Sequence, residues 1–461
     1  MRHPLLLLLL CLLAGCSTQR PWLNAPLTEP EAVAEKAQQG LGAAEDLGLM
    51  VGVTLSGGGA RAAAFGYGVL DALRQTKVQW NGQATTLLDE VDVVSGVSGG
   101  SILATYFAAF GPETFPRFEQ EFLRQDFQQS LVSNLFRPAN LYELTSPYIG
   151  RSQLLMRRLD TLYRGKTFDD LYAGIGPRNN PRLLVSATDL SLGASFEFTW
   201  EQFALICSDL RTVPLSFAVA ASSAVPIALS PLTLKNYAGD CKFPTQLADP
   251  TRPQSTADYR ARMLATQARS YRDAKTRPYI HLVDGGLADN LGVRSLLERS
   301  LAGGGLRGAT RTLPKGAIRK LVLITVNSER DPTERIDASD KVPTIVQVFD
   351  ALMFGAGSRA TRETEGLLAD TVRQWRRELQ NVSGGADAFA DDAEIHVVSV
   401  NLRDAPEALE RDTLLRLPTA FSLPGGDVDL LIEAGRRVLL ASPEYQALLR
   451  SLNAPVPVLS K

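Results

Sequence analysis

The chain has 461 residues, 45% of them hydrophobic, and its 48 basic and 50 acidic side chains leave a formal charge of −2. This composition excludes a largely disordered chain, which carries fewer apolar residues and more net charge, and it lacks the basic excess of a nucleic-acid binder. With three histidines (His3, His281, His396) and four cysteines that form no CxxC pair, a structural zinc site is not expected.

Arg2 followed by the apolar run Leu5–Leu13 reads as a secretory signal, too short to span a bilayer as a mature helix. Leu13-Ala14-Gly15-Cys16 resembles a bacterial lipobox. It implies a signal peptide over 1–15, a lipid on Cys16 and a lipidated tether over 16–47, with one short helix from Glu29 to Gln39. Ser17, rather than an aspartate, follows the cysteine. That points to a cell-envelope protein held in the outer membrane, and several acyl chains make such an anchor stable. Cys207 and Cys241, which remain after processing, are either a disulfide pair or two separate thiols.

Beyond the tether, LMVGVTL reads as a buried strand ending in Ser56-Gly57-Gly58-Gly59, with a helix directly after it. VDVVSGV and GGSILATYFAAF repeat that order, the pattern of a parallel α/β sheet. Residues 112–180 mix aromatic and charged side chains and predict several amphipathic helices, read either as a lid or acyl-chain wall or as ordinary core helices. RLLVSATDL and SFEFTW predict two strands, AASSAVPIALSPL a helix broken by Pro226, PYIHLVDGG a strand with a glycine turn, and IRKLVLITVN a buried strand. Helices over 331–390, the strand EIHVVSVNL and a closing helix or two complete the chain.

Gly96-Val97-Ser98-Gly99-Gly100 fits G-x-S-x-G, with a strand before it and a helix after it. That context suits a nucleophile elbow with Ser98 exposed above the sheet. A nucleophilic serine needs a base. His3 leaves with the signal, while His281 and His396 lie mid-strand, where core histidines are expected. Asp284, at the end of a strand, is left as the base, in a dyad rather than a triad, provided its surroundings raise its pKa or hold it against Ser98. Gly57-Gly58-Gly59 opens a helix, where free amides and the macrodipole suit an oxyanion; Arg61 either fixes this loop or adds positive potential. The same glycines fit a relaxed dinucleotide fingerprint, but Lys77 stands where an acidic residue is needed.

Gly57-Gly58-Gly59-Ala60-Arg61, Gly96-Val97-Ser98-Gly99-Gly100 and Asp284-Gly285-Gly286, in this order, resemble the three motifs of the patatin-like phospholipases. AASSAVPIALSPL and Gly286-Leu287-Ala288-Asp289-Asn290 are also similar to that family's segments, the latter suggesting that Asp289 and Asn290 brace the loop. The resemblance implies a three-layer α/β/α patatin-like fold with a mostly parallel central sheet. It also implies a catalytic domain over 48–330 and a segment over 331–461 completing it. The implied activity is that of a lipid acyl hydrolase, a phospholipase A or lysophospholipase acting on a membrane through its anchor. Ser98 and Asp284 are its implied dyad, with Gly57, Gly58, Gly59 and Arg61 at the oxyanion hole and no metal or organic cofactor. The alternatives are a carboxylesterase or acyltransferase using another acyl donor, and a non-catalytic lipid-binding envelope lipoprotein.

Overall fold

The alternation of Leu49, Val51, Val53 and Leu55 with Met50 places side chains on both faces of one strand, so both faces need cover. In the computed structural model, which describes residues 17–28, 48–173, 181–240, 259–310, 313–330, 337, 339–351, 357–380 and 388–456, that cover is two helical layers. The strands are β1 (Leu49–Leu55), β2 (Lys77–Trp80), β3 (Gln83–Thr86), β4 (Val91–Val97), β5 (Arg182–Asp189), β6 (Ala194–Glu197), β7 (Leu232–Lys235), β8 (Tyr279–Val283), β9 (Ile318–Asn327) and β10 (Phe389–Asn401). The main sheet runs β10-β9-β1-β4-β5-β8-β7, with β6 paired to β5. β10, β9, β1, β4 and β5 are parallel, whereas β8 runs antiparallel to β5 and β7 antiparallel to β8.

The helices used below are α1 (Gly59–Gln75), α2 (Gly99–Phe110), α3 (Phe127–Leu135), α4 (Pro138–Glu143), α5 (Arg151–Tyr163), α6 (Leu215–Ser222), α7 (Arg294–Ala302), α8 (Gly357–Gln380), α9 (Gly425–Ala441) and α10 (Pro443–Ser451). One face of the sheet packs against α1, α2, α5, α6, α9 and α10, using Val53, Val94, Ile324 and Val398. The other presents Leu323 and Ile395 to Leu297 of α7 and Leu368, Val372 and Trp375 of α8. α1 and α9 touch backbone to backbone: a Cβ on Gly68 would lie 1.9 Å from the Ile432 carbonyl oxygen. Residues from 388 onward therefore extend the same sheet and its covering layer.

The structure adds to the sequence reading or departs from it at three places. The hairpin β2–β3 turns on Asn81-Gly82, both at positive φ; this is the Asn-Gly signal of a tight turn, between strands too short and polar to read as strands. The helix expected in AASSAVPIALSPL, broken by Pro226, ends at Ser222, four residues before that proline, and the chain goes on to β7. Residues 17–28, expected within a tether, lie against the body: Asn24 bonds Ser208 and the Lys235 backbone, and Trp22 packs on Phe217. Cys16 and the helix expected over 29–39 lie outside the described residues. Cys207 is disulfide-bonded, and Cys241 is not among the described residues. No helix among the described residues is long and apolar enough to cross a membrane.

Candidate active site

β1 and β4 are adjacent parallel strands, so the loops leaving their carboxyl ends, Ser56–Gly59 and Ser98, emerge side by side. Ser98 sits at φ 49°, ψ −123°, in strained backbone at the start of α2. Its backbone is pinned: the amide donates to Ser222 Oγ at 2.8 Å, and Ser222 Oγ donates on to the Ser186 carbonyl. The two glycine loops nearly touch: a Cβ on Gly99 would lie 2.0 Å from the Gly59 carbonyl oxygen.

Asp284 reaches the same edge by a different route from the one the sequence suggests. The strand-end rule belongs to parallel strands, and β8 is antiparallel. It overlaps β5 by only Thr188↔Val283 and Asp189↔Leu282, at the carboxyl end of β5, so its own end stays beside Ser98. Ser98 Oγ donates to Asp284 Oδ2 at 2.8 Å, and the Gly286 amide donates to Oδ1 at 2.8 Å. The Asp284 backbone is fixed by the Ala224 carbonyl and by Thr188 Oγ1. Burial pushes the Asp284 carboxyl up to about 6, against the two hydrogen bonds that favour its charged form.

Of the glycines expected to donate to an oxyanion, Gly57 is committed elsewhere: its amide donates to the Asn290 carbonyl at 3.1 Å. Among the described residues, the amides of Gly58, Gly59 and also Gly99 have no acceptor. Gly58 is at φ 144°, which a side chain would oppose. Arg61 is buried and holds the loop, donating to the Ser328 carbonyl at 2.8 Å and the Leu417 carbonyl at 2.7 Å. Desolvation and the neighbouring Arg330 charge lower its pKa to about 9. Asp289 accepts the backbone amides of Arg294 and Leu291, and burial raises its carboxyl to about 6.

The histidines stand apart. His281, expected in the core, is on the exposed side of β8, with Nδ1 3.0 Å from Thr233 Oγ1. His396 is on β10, three strands and about 14 Å of sheet from β4. It bonds Glu394 and Ser451. Among the described residues no cluster of three His, Cys, Asp or Glu could hold a metal ion.

Two cavities share Ser98, Val225 and Thr419. The smaller, about 60 Å³, has the charged and polar residues Asp284, Asn290, Arg61, Glu329 and Arg330 on its walls. The larger, about 370 Å³, is apolar and lies in the size range of ligand sites. Leu131, Val132 and Leu135 of α3, Leu154 of α5, Leu229 and Phe421 line it. The helices within 112–180 thus wall a groove that opens on Ser98. The sequence motifs did not point to Ser222, although it lies in the segment of small residues, nor to Thr419–Phe421, which carry no motif at all. The hydroxyl of Thr419 is buried with no partner among the described residues, where the two cavities meet.

No curated protein matches the chain by sequence. Among solved structures, human GIVD cytosolic phospholipase A2 is 14% identical with a TM-score of 0.46, the match covering 94% of this chain and 67% of that one. The same enzyme in complex with methyl gamma-linolenyl fluorophosphonate matches with 14% identity and a TM-score of 0.42, over 92% and 64%. The family model described as patatin-like phospholipase matches residues 53–297, from β1 to α7. That span is more than half of the chain and holds all three motifs, and the chain belongs to the patatin-like phospholipase family.

Proposed function

We propose that this chain hydrolyses fatty acyl esters of phospholipids or lysophospholipids by a Ser98–Asp284 dyad. The observation that carries the reading is the 2.8 Å Ser98–Asp284 hydrogen bond where a small chamber with charged residues on its walls meets an apolar groove. An amphiphilic ester fits such a junction, with its acyl chain in the groove, its polar part in the small chamber and its carbonyl carbon at Ser98 Oγ. Each methylene moved from water into the groove contributes about 0.8 kcal/mol.

Ser98 Oγ attacks the carbonyl carbon as its proton passes to Asp284 Oδ2. The negative oxygen of the tetrahedral intermediate takes hydrogen bonds from the free amides of the glycine loop, of the kind worth about 3–4 kcal/mol in other enzymes. Collapse breaks the ester C–O bond, and Asp284 returns the proton to the departing alcohol oxygen. Water then attacks the acyl-enzyme, giving its proton to Asp284, and the fatty acid leaves as Ser98 regains its hydrogen. A carboxyl raised to about 6 is still ionised near neutral pH, yet basic enough to take the serine proton. We further propose that Cys16 is lipidated and holds the chain on a cell-envelope membrane; the lipobox-like sequence supports this reading.

The test is release of free fatty acid from phospholipid and lysophospholipid vesicles, with EDTA present. Ser98→Ala and Asp284→Asn are each expected to lose about 10³-fold or more while remaining folded at the assay temperature. Undiminished release by either variant would overturn the dyad.

A further inference from the structure

Few side chains of α3 and α4 enter the body of the protein. Phe127 is the one buried residue of α3, and α4 has none. Large apolar groups face outward instead: Phe136 is 67% exposed, Tyr142 53%, Val132 51%, Leu141 47% and Tyr148 46%. Across the groove mouth, Ile227 is 60% exposed and holds φ at 69°, a conformation costly for a β-branched residue. The Arg151 guanidinium caps the Ile227 carbonyl and ties the two sides of the mouth together. Val132 belongs to both the groove wall and the exposed set, and Ile227 lies between the lining residues Val225 and Ala228, so the patch and the groove are continuous.

The region is also locally basic. Residues 127–158 hold four arginines and one glutamate, in a chain with a net charge of −2. That glutamate, Glu143, is paired with Arg157. The path of the N-terminal segment adds an independent observation. The Ser17 amide donates to Thr145 Oγ1 at 2.8 Å, Thr145 donates to the Tyr142 carbonyl at 2.7 Å, and the Arg20 guanidinium lies 3.9 Å from the centroid of the Tyr148 ring. The described chain therefore begins on the same face, with Cys16 as the next residue back.

We propose that this face, built from Phe136, Leu141, Tyr142, Tyr148 and Ile227 with the surrounding arginines, docks onto the surface of a phospholipid bilayer containing anionic lipid. Apolar groups at this density, rimmed by basic residues, suit the boundary between headgroups and acyl chains. Docked there, the groove mouth opens into the bilayer, and an acyl chain can pass from membrane to Ser98 without crossing water. The inference rests on the reading of the groove as an acyl-chain site, but the surface is tested by a separate measurement.

The chain from Ser17 onward contains every described residue and lacks Cys16. Its flotation with phosphatidylcholine vesicles, with and without phosphatidylglycerol, is compared with that of a Phe136→Ser/Leu141→Ser/Tyr142→Ser variant and of Leu409→Ser, an 86% exposed leucine in another helix. None of the four residues lines either cavity, and turnover of a dissolved short-chain ester reports the site itself. The triple variant is expected to lose about tenfold or more in vesicle binding. Its melting temperature and short-chain turnover should be unchanged, and Leu409→Ser should bind like the parent. Phosphatidylglycerol should strengthen parental binding, and salt should weaken it. Vesicle binding unchanged in the triple variant, lost equally in Leu409→Ser, or absent from the parent would overturn the proposal. A parent that floats but hydrolyses no ester leaves the docking face standing and sinks the proposed activity instead.

Discussion

Around Ser98 each group the proposed chemistry uses is enclosed: Ser98, Asp284, Arg61, Ser222 and the glycine loop are buried, and hydrogen bonds tie them to one another and to the backbone carbonyls of Ser186, Ser328 and Leu417. The groove wall formed by α3 is built differently. Of its nine residues one is buried, and the leucines that line the cavity are only partly covered. A charge-developing reaction needs donors and base fixed before the substrate arrives. An acyl chain needs only apolar surface, which many side-chain arrangements supply. The enclosed region should therefore respond sharply to small changes and the α3 wall weakly, a difference that substitutions can measure.

The largest effect is expected at Gly99→Ala. The added Cβ meets the Gly59 carbonyl oxygen at 2.0 Å, and both partners are backbone held by the sheet. The two loops must separate, so a loss of about 3 kcal/mol or more in unfolding free energy is expected, together with ester turnover. Gly366→Ala in α8 is the counterpart: its Cβ meets nothing within 4 Å, and removing a helix glycine should add about 0.5–1 kcal/mol. Urea unfolding of both variants checks the pair. Equal midpoints would mean that the loops do not need their close approach.

Acid should divide two aspartates that burial treats alike. Asp284 and Asp289 are both raised to about 6, yet only Asp284 touches Ser98. The base must be ionised, so kcat/KM should fall about tenfold per unit below pH 6. Asp289→Asn should keep that limb. In stability the sign is opposite to that of a salt-bridged carboxylate. The folded pKa of Asp284 lies above the unfolded value of 3.8, so its contribution is present below about 3.8 and lost as pH rises through about 6. Asp284→Asn should then be more stable than the parent at pH 7, by up to about 3 kcal/mol. A variant less stable than the parent at pH 7 would show that its hydrogen bonds outweigh desolvation.

What the sequence made legible follows the same division. Ser98, Gly58, Gly59 and Asp284 sit at fixed offsets from strands and glycine turns, because strained corners and close backbone approaches admit few residue types. Hence the motifs were readable, and so were the buried strands β1, β4 and β9. Gly57 was readable as part of the loop but not as an amide already committed to Asn290, since the acceptor is distant in sequence. The antiparallel direction of β8 left no local mark: pairing depends on β5 and β7, and YIHLV reads the same either way. His281 is exposed because it alternates with Ile280 and Leu282, which face the core, and nothing local marked which face of β8 would be covered. Thr419 to Phe421 close the site from more than 300 residues away, with no side-chain chemistry to mark them.

The smallest expected effect tests the α3 wall. Leu135→Ala removes apolar surface from the groove at a partly covered position, so unfolding free energy should fall by less than about 1 kcal/mol. Leu103→Ala, at a fully buried position in α2, should cost about 2–5 kcal/mol by leaving a cavity. On substrates the contrast turns toward chain length. A short acyl chain that does not reach Leu135 loses nothing, whereas a long one loses its contact, about 1 kcal/mol or roughly fivefold in kcat/KM. The measurement is kcat/KM across a series of esters of increasing acyl length for parent and Leu135→Ala. A ratio that widens with length locates the chain against α3. A ratio constant across the series would mean that the groove is not where the acyl chain lies, and that Ser98 receives its ester from the small chamber alone.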